Sequence, residues 1–323
     1  MTNPPKVSIG VPIFNGANYL QEALDSLLAQ TYEDFEILIC DNASTDSTGD
    51  ICKKYVAQDH RISYHRNEQN IGPDLNFTRI VDLARGEYFK WAAHDDLLEP
   101  TFLQKCVAAL DADPEVVLCH SLTRIIDHQN RELSTYDSGL QAAASNRQSR
   151  RFAALILHQH ICSDMFGLIR IDALRQSKRL EGNYHGCDRA MLAELSLIGR
   201  FAQLPEALFL NREHRARSVR SIKSGERCSE PRQKARAKIP MNTLRLYRDY
   251  WQAVLKHADS GIEKAVCMMY LLPWWFVSWN ALRVGTELIA QIYPNFYDIA
   301  KRMKNRYVQP AHPLYRASAE AEK

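Results

Sequence analysis

The stretch WAAHDDLLEP, residues 91–100, leaves an apolar run, places His94, Asp95 and Asp96 side by side, and stops at Pro100. Two neighbouring carboxylates repel each other unless a cation or bulk water faces them. A divalent metal would supply that charge, and so would the solvent around a surface turn capping a helix. Polar groups occupy comparable places elsewhere: Asn15 follows the run KVSIGVPIF, and Asp41 closes the run FEILICD. A strand-end carboxylate can accept hydrogen bonds from a base N–H or from ribose hydroxyls. Hard cations such as Mg2+ or Mn2+ take one or two carboxylates and complete their shell with a substrate's own phosphates. Together these groups suit a nucleoside-diphosphate site.

The elements that must hold these groups alternate over the first 120 residues. KVSIGVPIF reads as a strand, and NYLQEALDSLLAQ sets Leu20, Ala23, Leu24, Leu27 and Leu28 on one helical face. FEILICD is a buried strand; Ser44 or Asp46 can cap a helix over 47–57; RISYHRN is a third strand, 73–84 a helix and EYFKWAA a fourth strand. A helix near 101–112 and a strand at EVVLCHS follow. Strand and helix in alternation predict an α/β fold with a mostly parallel sheet covered by helices on both faces. In such sheets ligands sit beyond the carboxyl ends of the strands, so Asn15, Asp41 and His94–Asp96 should converge on one crevice. The G-x-G-x-x-G fingerprint is missing after the first strand, where only Gly10 and Gly16 occur, and there is no Walker lysine loop.

Composition narrows the classes further. With 323 residues, one large domain or two smaller ones can form an ample core. The balance of 41 basic against 38 acidic residues gives no field that argues for nucleic acid. Eight cysteines form no C-x-x-C pair, which argues for a reducing compartment and against zinc. The N-terminus shows no signal-peptide pattern, and the expected location is the cytoplasm.

The segments VSIGVPIFNGANYLQEALDSLLAQTYEDFEILICDNASTDST, RNEQNIG and ARGEYFKWAAHDDLLEP together resemble a family 2 glycosyltransferase with the GT-A fold, over roughly residues 6–219. The resemblance implies that Pro12, Phe14 and Asn15 border the nucleotide pocket and that Asp41 reads the pyrimidine ring. It implies base or phosphate contacts from Arg66 and Asn70. Asp95 falls at the last position of the family's D-x-D motif and would hold Mn2+ or Mg2+. Ala93 stands where the other Asp often lies, which leaves the ribose contact to Asp96 or His94.

In the second half, MFGLIRIDALR reads as a strand and a helix start, and YHGCDRAMLAELSLIGR is similar to the family's E-D segment with Cys187 in place of the first acid. Inverting transfer needs one carboxylate to take the acceptor's proton. Asp188 is the candidate base; the competing reading is a helix cap. The segment 211–238 holds ten Lys or Arg against three Glu and is loop-like in composition. By resemblance, His214 would reach the metal, while Arg212, Arg217 and Ser218 would belong to a basic lid over the diphosphate. A solvated loop or one lying on anionic lipid is the alternative.

Between Lys264 and Arg283 lie 18 uncharged residues interrupted by Pro273, with Trp274, Trp275 and Trp279 near the middle. Helices broken at Pro273 are expected there, packed on the catalytic unit, against a second copy, or on a membrane surface. The resulting division is a catalytic GT-A unit over 1–220, a basic linker or mobile loop over 221–240 and a helical region over 241–323. The expected function is metal-assisted, inverting transfer of one sugar from a nucleoside-diphosphate sugar, with UDP the favoured nucleotide, to a glycan or lipid-linked acceptor in cell-surface polysaccharide or glycan assembly. A homo-oligomer through the C-terminal helices and peripheral contact with the inner face of the plasma membrane fit this picture. The alternatives are a non-catalytic nucleotide-binding scaffold and a sugar-nucleotide pyrophosphorylase; the latter's Gly-rich loop with a basic residue is absent after the first strand.

Overall fold

The computed structural model describes residues 4–182, 184, 186–214, 241–293 and 296. The strands β1 (Val7–Ile13) and β2 (Phe35–Asp41) are buried along their whole length, as apolar runs covered on both faces must be. The helix α1 (Leu20–Leu28) joins them and buries Leu20, Ala23, Leu24 and Leu27, the stripe its sequence period places on one side. Then follow α2 (Thr48–Gln58), β3 (Ile62–Arg66), α3 (Pro73–Leu83), β4 (Tyr88–Trp91), β5 (Leu97–Leu98), α4 (Phe102–Ala112) and β6 (Val116–Ile126). Pro73 opens α3 at a position where its missing N–H costs nothing.

The remaining strands are β7 (Glu132–Tyr136), β8 (Leu168–Arg170) and β9 (Arg200–Arg212). The helices α5 (Gln148–Leu157), α6 (Ile171–Gln176) and α7 (Cys187–Ile198) lie among them. Sheet order is β3-β2-β1-β4-β8-β6-β9-β5, with β7 paired to β6. The pairs β1–β2, β1–β4 and β2–β3 are parallel. Because β8 is antiparallel to both β4 and β6, these two point the same way, and β9 is parallel to β6. Six of the nine strands, β1 to β4 with β6 and β9, therefore share a direction, and the expected mostly parallel α/β sheet is present. Pro12 is tolerated in this inner strand because the β1–β4 ladder ends at Gly10 and Trp91.

One face of the sheet is covered by α1, α2 and α4, whose Leu24, Cys52 and Phe102 join a single core with Ile9 and Ile37. The other is covered by α3, α5 and α7, and the C-terminal helices enter the same core through Tyr250, Val254, Cys267 and Trp274. These helices are α8 (Asn242–His257), α9 (Gly261–Trp274) and α10 (Asn280–Ile292). The break expected at Pro273 is displaced. Pro273 sits inside the last turn of α9, where losing one backbone donor is tolerated, and the chain turns at Ser278 and Trp279, whose φ values are 50° and 61°.

Candidate active site

The carboxyl ends of β1, β2, β3 and β4 form one edge, and the loops leaving them are tied to one another. After β1, the Asn15 amide donates to Ser44 Oγ at 2.9 Å, and Asn15 Oδ1 accepts from the Thr45 amide at 2.8 Å. Asn15 holds a positive φ of 50°, a conformation Asn adopts more readily than most residues. The Gly16 amide donates to Thr48 Oγ1 at 3.0 Å. A Cβ at Gly16 would come within 2.6 Å of the His94 ring, so glycine lets the β1 and β4 loops close on each other. Phe14 is half-buried and Pro12 is buried within the strand.

Asp41, at the tip of β2, is fully buried. Its Oδ1 accepts from the Ser44 amide at 2.8 Å, and its Oδ2 from Tyr64 Oη and Arg66 Nη1, each at 2.6 Å. A buried carboxylate needs such partners to remain charged. Burial together with the hydrogen bond to Asp41 pushes the Tyr64 hydroxyl up to about 12, so it remains a donor. The structure thus brings Asp41 and Arg66 into contact. Asn70, expected to contact base or phosphate, also has a structural part in the loop. Its Oδ1 accepts from Asn42 Nδ2 at 2.8 Å and from the Gly72 amide at 2.9 Å. Asn42 Oδ1 in turn accepts from Asn67 Nδ2 and the Ile71 amide. Asn70 therefore clamps the loop before α3, because loop amides outside a ladder must find acceptors.

At the end of β4, Asp95 Oδ2 lies 2.9 Å from His214 Nε2. The His214 ring packs against Tyr19, with centroids 4.9 Å apart. Asp96, offered as a ribose contact, is turned toward β9. Its carboxylate accepts from Asn211 Nδ2 at 3.1 and 3.2 Å and from the Arg212 amide at 2.8 Å. The alternative ribose candidate, His94, is largely buried, and that burial lowers the basicity of its ring.

Arg212 is not a residue of a basic lid. Its guanidinium is fully buried, donating from Nε to the Asp95 carbonyl at 2.8 Å, from Nη2 to Glu22 at 3.0 Å and from Nη1 to Asn130, with its plane over Tyr19. A planar fork with donors fixed in three directions locks two chain segments together. It holds the His94–Asp96 loop on β9 and so sets the Asp95–His214 distance. Arg217 and Ser218 lie outside the described residues.

Asp188 occupies the first turn of α7, whose cap is Gly186 with φ 109°. The cap residue is a glycine without a side chain, and Asp188 itself answers one first-turn amide of the helix. Its Oδ1 accepts from the Arg189 amide at 2.8 Å, and the buried Cys162 thiol lies against it. Two observations fix its place relative to the edge. Because β8 is antiparallel to β4, residues before Leu168 lie over the carboxyl end of β4, and buried Lys90 donates to the Phe166 carbonyl there. Cys162, in that segment, touches Asp188. The start of α7 therefore belongs to the same edge as Asp41 and Asp95.

Among the described residues, no group of three or more His, Cys, Asp or Glu side chains could hold a metal alone. Asp95 and His214 nevertheless present a carboxylate oxygen and an imidazole nitrogen to one point, the donor number expected when a diphosphate completes the shell of Mg2+ or Mn2+. Sequence reasoning missed Tyr64, Ser44, Tyr19 and the Asn42–Asn67–Asn70 network. The dipeptides Asp41-Asn42 and Arg66-Asn67 at two strand ends were the available signal for the last of these.

The structure is thus an α/β unit with a mostly parallel sheet, an acidic residue at the tip of β2 and a carboxylate–imidazole pair beyond β4. The chain belongs to glycosyl transferase family 2, whose model matches residues 8–177. An uncharacterized glycosyltransferase of Rickettsia typhi is 35% identical over 133 residues, which are 41% of this chain and 41% of the relative. The chain thus spans about two fifths of that relative's length. One from Haemophilus influenzae is 27% identical over 227 residues, 66% of this chain and 67% of the relative. Among solved structures, Staphylococcus aureus TarS 1–349 in complex with UDP superposes with a TM-score of 0.60 at 17% identity, covering 84% of this chain and 72% of that one. The mannosyltransferase PcManGT from Pyrobaculum calidifontis, in complex with GDP-Man and Mn2+, gives 0.56 at 15% identity, covering 96% and 82%. At such identities the likeness is one of fold, the GT-A fold.

Proposed function

We propose that this chain transfers a single sugar from a nucleoside-diphosphate sugar to an acceptor hydroxyl with inversion at the anomeric carbon. The observation that carries this reading is the Asp95–His214 pair at the same sheet edge as the Asp41–Arg66 pair. Asp41 and Arg66, with Asn15 beside them, form the base end, where UDP is the favoured nucleotide; TarS, of the same fold, was solved with UDP. Asp95 and His214 form the phosphate end. A divalent cation bound there would neutralise charge on the diphosphate oxygens.

Asp188 accepts the proton of the acceptor hydroxyl. As the acceptor oxygen bonds to C1, the C1–O bond to the diphosphate breaks, and its electron pair leaves with the nucleotide. Asp188 suits this role because its Oδ1 accepts one bond, from the Arg189 amide, and a carboxylate has further lone pairs with which to accept from an acceptor hydroxyl. Arg217 and Ser218, in the Lys- and Arg-rich segment 211–238, are the further candidates for diphosphate contact and lie outside the described residues. The acceptor is a glycan or a lipid-linked saccharide in cell-surface polysaccharide or glycan assembly. The site of action is the cytoplasm, in keeping with seven described cysteines that are all buried free thiols.

Isothermal titration of UDP with and without Mn2+ tests the reading. Metal-dependent binding supports it, and the absence of any metal-dependent binding would favour the scaffold reading. Hydrolysis assays across a panel of nucleotide sugars then identify the donor without an acceptor.

A further inference from the structure

The C-terminal helices present an apolar face that no described residue covers. On α9, Ile262, Met269 and Leu272 are exposed and spaced by seven and three residues, and Phe276 follows four later in the next turn, so one helical side carries them all. On α10 the same spacing puts Leu282, Ile289 and Ile292 on one side. Between the two stripes the chain bends, and Trp279 stands out there at 69% exposure beside Phe276 at 84%. The opposite sides hold the helices to the protein: Cys267, Leu271 and Trp274 are buried, and Trp274 and Trp275 both pack on Tyr247. Apolar patches this continuous mark interaction sites.

Charge selects the occupant. Between Gly261 and Tyr293 the only charged residues are Glu263, Lys264, Arg283 and Glu287. Both carboxylates turn inward: Glu263 accepts from the Ser149 amide at 2.7 Å, and buried Glu287 accepts from the Thr243 hydroxyl at 2.8 Å and its amide at 3.0 Å. Within the two helices the exposed charge is therefore that of Arg283, with exposed Asp259 just before α9. The sequence beyond Phe296 carries Lys301, Arg302, Lys304, Arg306, Arg316 and Lys323 against Asp298, Glu320 and Glu322, a net positive balance. Net positive charge would be repelled by its own image in a second copy, whereas an anionic lipid surface complements it. No single helix among the described residues is long and apolar enough to cross a membrane, and α9 with the helical stretch Val277–Ile292 is bent by 71°. A bent amphipathic pair with Phe and Trp at its apex fits a bilayer surface instead.

We propose that the apolar face of α9 and α10 docks on an anionic lipid bilayer, seated at the headgroup–acyl boundary through Phe276 and Trp279. This surface is independent of the catalytic reading, since none of its residues lies at the sheet edge. The test is flotation of the full chain with vesicles of phosphatidylglycerol and phosphatidylethanolamine, against vesicles of phosphatidylcholine alone. Wild type is expected to float with the anionic vesicles only. The double variant Phe276→Glu/Trp279→Glu should lower the bound fraction about tenfold, while UDP affinity stays unchanged. A second pair, Ile262→Glu/Met269→Glu, guards against a local folding defect at the bend and should act in the same direction. The proposal is overturned by absence of flotation with anionic vesicles, by equal flotation with phosphatidylcholine, or by wild-type flotation of both variants. A dimer that Phe276→Glu dissociates, without vesicle binding, would assign the face to a second copy. Loss of UDP binding in the wild type would bear on the catalytic reading alone.

Discussion

His214 Nε2 lies 2.9 Å from Asp95 Oδ2 although 119 residues separate them in the chain. The antiparallel pairing of Leu97 with Leu210 and of Leu98 with Phe209 brings the segments together, and the hydrogen bond that the Arg212 backbone N–H donates to the Asp96 carboxylate fixes the last step of register. The pair is thus built into the sheet rather than left to loop closure.

If this pair holds the cation, Asp95→Ala and His214→Ala should each weaken Mn2+-dependent UDP binding by roughly ten- to a hundredfold. Binding of UDP without metal should hardly change. Titration calorimetry at matched metal concentrations reads both quantities, and equal losses with and without Mn2+ would count against the assignment.

Asp188→Asn keeps the shape of the side chain and removes its basicity. Transfer should fall by about two to four orders of magnitude, with UDP affinity within a factor of about two. Full turnover in this variant would remove Asp188 from the mechanism.

Arg212 contributes through structure. Replacing it with Met removes the donors to Glu22, Asn130 and the Asp95 carbonyl, while the Asn130–Glu22 hydrogen bond remains. Urea unfolding should show a loss of about 1–3 kcal/mol, the range for leaving a buried acceptor such as the Asp95 carbonyl unsatisfied. Arg212→Lys should recover only part of it, since an ammonium cannot donate in three fixed directions.

Lys90 gives a pH signature. It is wholly buried, donates to the Phe166 carbonyl and faces the Phe102 and Phe209 rings at 4.6 and 5.3 Å. Burial pushes its ammonium from the ordinary 10.5 down to about 7. Between these values the unfolded chain binds the extra proton, so stability from this group rises with pH across that window. Below about 7 the penalty is fully present. Lys90→Met should stabilise the protein at pH 7 by about 1–4 kcal/mol and flatten this slope. Denaturant unfolding at pH 6, 7, 8 and 9 would measure it.

Certain features were legible because they are local. The repeats that define β1, α1, β2, β4 and α4 lie within single segments, and apolar side chains at period two or near period 3.6 bury in only one way. Asp41 and Asp95 could be singled out because a carboxylate at the end of an apolar run costs energy unless something uses it. Arg212 and Asp96 could not be separated from ligand-binding residues by type alone. An arginine near a diphosphate and an arginine bolting two strands together have the same chemistry and differ only in where the donors point. The same holds for Asn70, whose loop-clamping role depends on Asn42 lying 28 residues away in sequence.

The sequence by itself determined the α/β class, the family and the strand ends from which the site is made. Only the tertiary structure decided which polar residues face the crevice and which brace it, and that both carboxylates of the C-terminal helices turn inward, leaving an apolar and cationic face. The physical reason is that register, burial and hydrogen-bond direction are set by distant segments meeting, and such meetings leave no period in the chain.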